Sequence, residues 1–293
     1  MSPPSSTLRT LLILCVAALF LLLPACGGPS GPAQGSPEWL YLAARDTFRG
    51  GDIDKTQVHL GKLEELEGNP YQARAAAWDV LIKSGRLLGY EELVESYHAG
   101  WQHGVGANKL NFARDKNTML KEIRGYALHL LEANTHFQKI VASQKLDHVE
   151  LEFPFPDGSA APVVEIGRME KGMWPVDTER ELAVNKMLQR GLLRGIAGGI
   201  TTLDDVPGAQ KALQSGKTSV PLAHFQLGLA NAMSSTAKYF GEHYIAESDK
   251  RKLFLGNTVE MAKKALDLKP DADTEKAAKK LQADAEKELK KIK

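Results

Sequence analysis

Cysteine is nearly absent from this 293-residue chain, which holds only Cys15 and Cys26, so a small disulfide-dense fold is excluded. Net charge is almost absent too, with 37 basic side chains against 36 acidic ones. A general nucleic-acid binder uses a basic excess to displace counterions from phosphates, and no such excess exists here. Long hydrophobic runs are equally scarce. The longest, LLILCVAALFLLL at residues 11–23, falls short of the ~20 apolar residues that a membrane-spanning helix needs. What remains, 43% hydrophobic and 25% charged, has the profile of a globular protein and not of a disordered or collagen-like chain.

The apolar run has the length of a signal-peptide core, and the small residue Ala25 stands where a signal peptidase would cut. It ends Leu23-Pro24-Ala25-Cys26, which resembles the lipobox of bacterial lipoproteins: an aliphatic residue, a small residue at the cut, then the cysteine that is acylated. The resemblance implies a signal peptide over 1–25, lipid on Cys26 and a place in the bacterial cell envelope. Gly27, standing where inner-membrane retention commonly shows Asp, implies the outer membrane facing the periplasm in a Gram-negative host. Cleavage would discard Cys15 and leave one cysteine, which has no disulfide partner in an oxidising compartment. The alternative is a plain secretory signal followed by an incidental thiol.

Residues 27–37, GGPSGPAQGSP, are Gly, Pro or Ser at nine of eleven positions, so 26–37 reads as a tether with a reach on the order of 20 Å. The folded body, 38–293, is expected to start where Ser36 caps a helix with Pro37 in its first turn. Glycine and proline breaks then divide the chain into helices. Residues 37–49 and 53–67 make one antiparallel pair about Gly50-Gly51, and 71–84 and 90–103 a second about Gly85 and Gly89. A long helix is predicted over 108–144. Others follow from a Thr178 cap with Glu181 as its box partner to the glycine-rich 195–199, then over 205–215, 220–241, 250–269 and 273–291. The last carries one narrow apolar stripe, Leu281, Ala285, Leu289 and Ile292.

One segment breaks the helical rule. In DHVELEFPF, Val149, Leu151, Phe153 and Phe155 alternate with polar residues or proline, the period-two mark of a half-buried strand. With PDGSAAP as a turn and VVEIGRME returning, a β-hairpin is expected around 147–170. Its apolar face either packs on the helices or stays open for binding. The fold class is therefore mainly α, stacked antiparallel helix pairs with an inserted hairpin.

AKKALDLKPD at 262–271, with Ala262, Ala265, Leu266, Leu268 and Pro270, resembles the second helix and exit turn of a tetratricopeptide repeat. AHFQLGLANA at 223–232 resembles the first helix of such a repeat through Leu227 and Gly228. The copies are degenerate, separated by an insertion of about 20 residues that a regular 34-residue repeat lacks. The likeness implies stacked helix pairs with a concave surface for a peptide or protein. The competing architecture is an unrelated helical bundle.

Catalytic signals are weak. SGKTS at 215–219 lacks the upstream glycine of a phosphate loop, since position 211 is Lys, and reads as a helix end closed by Gly216. His98 with His103, and His243 with Glu247, fall short of a three-ligand zinc site. No catalytic residue, metal ligand or cofactor is assigned, and no GxSxG elbow is present. The expected function is a non-catalytic, lipid-anchored binding or scaffold protein with a protein or peptide partner. The alternatives are a small-ligand accessory lipoprotein of a transport system and an envelope enzyme with an unrecognised acid–base pair. Lipidation at Cys26 predicts membrane-fraction partitioning that Cys26→Ser abolishes on fractionation; a variant that stays equally membrane-bound would refute it.

Overall fold

The computed structural model describes residues 31–156, 158 and 161–292. Residues 1–25, expected as a signal peptide, Cys26 and the first part of the expected tether lie outside the described residues. The protein is mainly α, built of antiparallel helix pairs with one small two-stranded antiparallel sheet.

Helices α1 (Pro37–Arg49) and α2 (Ile53–Glu65) form the first pair where the sequence places them. The Ser36 hydroxyl accepts from the Trp39 amide at 3.3 Å, and Asp52 caps α2 through the Lys55 amide at 3.1 Å. The next segment differs from expectation. Residues 71–103 are not two helices but one, α3 (Gln72–His103), and Gly85 and Gly89 lie inside it. Glycine weakens a helix by about 1 kcal/mol per residue, yet here it is needed for contact. A Cβ on Gly195 would sit 2.2 Å from the Gly85 Cα, and one on Gly191 would sit 2.3 Å from the Gly89 nitrogen. Thus α3 and α6 (Asp177–Ile200) meet backbone against backbone.

Helix α4 (Gly106–Gln144) returns along α3. Strand β1 (His148–Leu151) follows and buries Val149 and Leu151 as the alternation requires; beyond it Phe153 stacks on Trp78 at 4.8 Å. The expected return strand is instead helix α5 (Val164–Glu170). Ile166 and Met169, three apart, share a helical face and fill a satellite core with Leu93, Tyr97 and Phe112, which a strand could not do. The partner of β1 is β2 (Thr218–Pro221), with Val149 opposite Val220.

Thr178 falls inside the first turn of α6, whose cap is Val176, and 195–199 stays helical. After α7 (Val206–Ala212) come α8 (Leu222–Tyr239), α9 (Ser248–Asp267) and α10 (Ala272–Lys291), stacked in sequence. Ala278 and Ala285 of α10 are buried, with Leu281 and Leu289 beside them. Helix α3 has no distinct polar face, is buried along much of its length and touches α2, α4, α5, α6, α8 and β1, the behaviour of a central helix. No helix among the described residues is long and apolar enough to cross a membrane.

The glycine contact sets a test. Gly191→Ala would place a methyl group against backbone that cannot move aside, and should cost about 1–3 kcal/mol by urea unfolding. Gly125→Ala on α4, where nothing lies within 4 Å of the new Cβ, should instead stabilise by about 0.5–1 kcal/mol. Equal effects at the two sites would refute the close-contact role.

Candidate binding cleft

Because much of α3 is buried, the charged side chains on it need partners. Two of its turns present Glu91, Glu92, Glu95 and Ser96 toward α5, α6 and α8. Glu92 accepts from Arg190 at 2.6 Å and also from Arg194, whose other nitrogen holds Asp204 at 2.7 Å. Arg190 flanks Gly191 and Arg194 flanks Gly195, so the close helix contact delivers both guanidinium groups to α3. Ser96 donates to Glu170 of α5 at 3.0 Å.

On the α8 side, Glu91 is only 3% exposed and accepts from the Ser235 and Thr236 hydroxyls, the latter at 3.0 Å. Burial drives its carboxyl up to about 7, against the pull of those two hydroxyls and Lys238. One turn on, Glu95 accepts from Lys238 at 2.7 Å, Tyr244 at 2.8 Å and Tyr239 at 3.0 Å. Partial burial raises its pKa, but the three donors outweigh that and hold it below the usual carboxylate value. Burial first, then Glu91 and Glu95, pushes the Tyr239 phenol far above its normal range, so it stays a donor.

These groups wall a solvent-open cleft of about 460 Å³ bounded by α3, α5, α6 and α8. Beyond Lys238 and Tyr244 lies a second open cleft of about 660 Å³, lined by His98, His243, Arg251 and Glu288 among others. Glu95 and its donors form the wall between them. The enclosed space behind Glu91, where α3, α6 and α8 meet, is only about 20 Å³, room for a water and no more. The arrangement offers fixed charges and hydroxyls to a polar ligand.

The residues singled out by the repeat resemblance serve packing elsewhere. Leu227, Ala265 and Leu266 meet Ala278 and Leu281 where α8, α9 and α10 join, and Ala262 belongs to the main core. Gly228 faces α6, where a Cβ would lie 2.4 Å from the Gly198 carbonyl oxygen. Pro270 stands in the turn before Asp271, the cap of α10. None of these lines the cleft. His98 stacks on Trp101, and His103 meets the Glu170 carbonyl at 2.9 Å. Among the described residues no cluster of three or more His, Cys, Asp or Glu is arranged to hold a metal. Pattern alone does not single out Glu91 and Glu95 in the sequence; the trace they leave is a pair of carboxylates at i and i+4 in a helix with no distinct polar face. Compared with protein-family models, curated proteins and solved structures, the chain finds no match.

The Glu91 carboxyl carries a pH signature. Its folded pKa lies above the ordinary 4.5, so the protonated folded form is favoured, fully below pH 4.5 and progressively less up to pH 7. Glu64, pushed to about 8 by burial and then by Asp79, adds a slope of the same sign, so the variant must be compared with wild type. Relative to wild type, Glu91→Gln should gain stability between pH 4.5 and 7, on the order of 3 kcal/mol in all, and level off above. A pH-independent difference in urea midpoints would refute it.

Proposed function

We propose that this chain is a lipid-anchored protein of the bacterial cell envelope that recognises a protein or peptide partner, and that the cleft walled by Glu92, Glu95, Glu170, Arg190 and Arg194 is where it does so. The observation that carries the reading is the openness of that cleft combined with its fixed donors and acceptors. An extended peptide brings its own unpaired backbone N–H and C=O groups and needs such partners along an open groove. A small-ligand receptor would instead bury most of its ligand in a largely apolar cavity, and the enclosed space behind Glu91 is water-sized. The anchor half of the reading rests on Leu23-Pro24-Ala25-Cys26 and the tether after it.

The test is photo-crosslinking in intact envelopes, with a photoreactive residue replacing Val163 at the cleft or Val58 on the exposed surface of α2. Position 163 should give a discrete protein or peptide adduct that Glu170→Lys, a change at an exposed cleft wall, removes. Position 58 should give none. Identical adducts from both positions, or none from position 163, would overturn the cleft as the recognition site.

A further inference from the structure

The α3–α4 turn, Gly104-Val105-Gly106, projects at the end of the body remote from α1, and the loop after α5 packs behind it. A Cβ on Gly172 would lie 2.6 Å from the His103 carbonyl carbon, which leaves Met173 beside the turn. Three apolar side chains at this tip face solvent: Val105 at 79% exposure, Leu110 at 73% and Met173 at 50%. None of them lines either cleft.

Cations collar it. The Lys109 and Lys116 ammonium groups sit 5.0 and 5.5 Å from the centre of the Trp101 ring, and Lys171 precedes Gly172. The acids nearby are engaged or lie at the border. Asp115 is held by Arg114 and Arg180, Asp177 by Arg180, and Glu170 accepts from Ser96, while Glu179 and Glu181 mark the α6 side. No carboxylate among the described residues pairs with Lys109, Lys116 or Lys171, whereas the cleft cations Arg190, Arg194 and Lys238 are all ion-paired.

We propose that this tip, Val105, Leu110 and Met173 within a collar of Lys109, Lys116 and Lys171 around Trp101, rests on the anionic headgroups of a lipid bilayer. The inference rests on the envelope reading above and adds an orientation to it. Apolar tips enter the acyl boundary, lysine stems extend toward phosphates, and an indole suits the headgroup level. Exposed apolar side chains ringed by cations that no carboxylate among the described residues neutralises fit a flat negative surface, whereas a peptide needs a groove and none of the three lines either cleft. Tethering supplies a high effective concentration, so a weak contact suffices. Ring stacking of Tyr41 on Tyr71 places α1 at the opposite end of α3, about 45 Å from the tip at 1.5 Å per residue. Anchor and tip reach one bilayer together only if α3 lies along it.

The experiment reconstitutes the lipidated chain into vesicles with an environment-sensitive fluorophore attached at Val105→Cys or, as control, Val58→Cys. On phosphatidylglycerol-containing vesicles the label at position 105 should shift to the blue and be quenched by brominated acyl chains, and the label at position 58 should not. Lys109→Glu combined with Lys116→Glu should weaken the contact more than about tenfold. An unshifted label at 105, an equal shift on pure phosphatidylcholine, or shielding seen in native envelopes but not on protein-free vesicles would each overturn the proposal. The last outcome would assign the tip to a protein. Flotation of wild type against Cys26→Ser on pure phosphatidylcholine, where the tip meets no anionic headgroup, reports on the anchor alone: flotation unchanged by the substitution removes the anchor, and an unshifted label on floating phosphatidylglycerol-containing vesicles removes the tip contact.

Discussion

The contact on which the rest of this structure depends is the backbone-to-backbone approach of α3 and α6 at Gly85, Gly89, Gly191 and Gly195. Helix axes are normally held 8–10 Å apart by the side chains between them, and four glycines remove those side chains where it matters. The spacing of four residues on each helix puts the glycines on one face. Because Arg190 and Arg194 stand next to Gly191 and Gly195, the same approach that closes the core brings two guanidinium groups onto Glu92. Packing and cleft are set by one contact, and Gly198 and Gly228 repeat the device between α6 and α8.

A largely buried central helix imposes a second condition, that its carboxylates be satisfied by the helices around it. Glu91 and Glu95 meet it differently. Glu91 is buried among neutral hydroxyls, so the protonated form is favoured toward neutral pH; Glu95 has Lys238 and two phenols and stays ionised. Glu91, favoured in its protonated form below about pH 7, seals the inner contact of α3 with α8, and the ionised Glu95 faces the open water between the clefts. A buried clasp of this kind contributes to specificity of packing more surely than to net stability, since its desolvation cost offsets much of its attraction.

How far all this could be read from the sequence follows from the range of the interactions. Helices α1 and α2 are legible to within two residues because their signals are local: Ser36 and Pro37 at one end and Gly50-Gly51 between. The strand at Val149 and Leu151 is legible from alternation, but its partner is not, because Val220 lies 71 positions away and four residues of strand carry little pattern. Gly85 and Gly89 mislead for a physical reason. Glycine marks a break when judged by propensity and a helix contact when judged by packing, and only the partner glycines on α6 decide between them. The cleft is the least legible part, since Glu91 reads as one more surface acid until α8 is placed against it.

That long range also distinguishes this body from a strictly one-dimensional repeat array. In such an array each unit touches only its neighbours, and stability is a sum of nearest-neighbour terms. Here α8, α9 and α10 do stack in order, but α3 touches α6 and α8 as well as its neighbours, and Glu91 reaches Ser235 across 144 positions. The cleft draws its walls from α3, α5, α6 and α8, so no contiguous helix pair contains it. Binding residues gathered from distant segments exist only when the whole body is folded, which couples recognition to global stability. A change that parts α3 from α6 therefore opens the cleft wall even though it touches no residue that lines it.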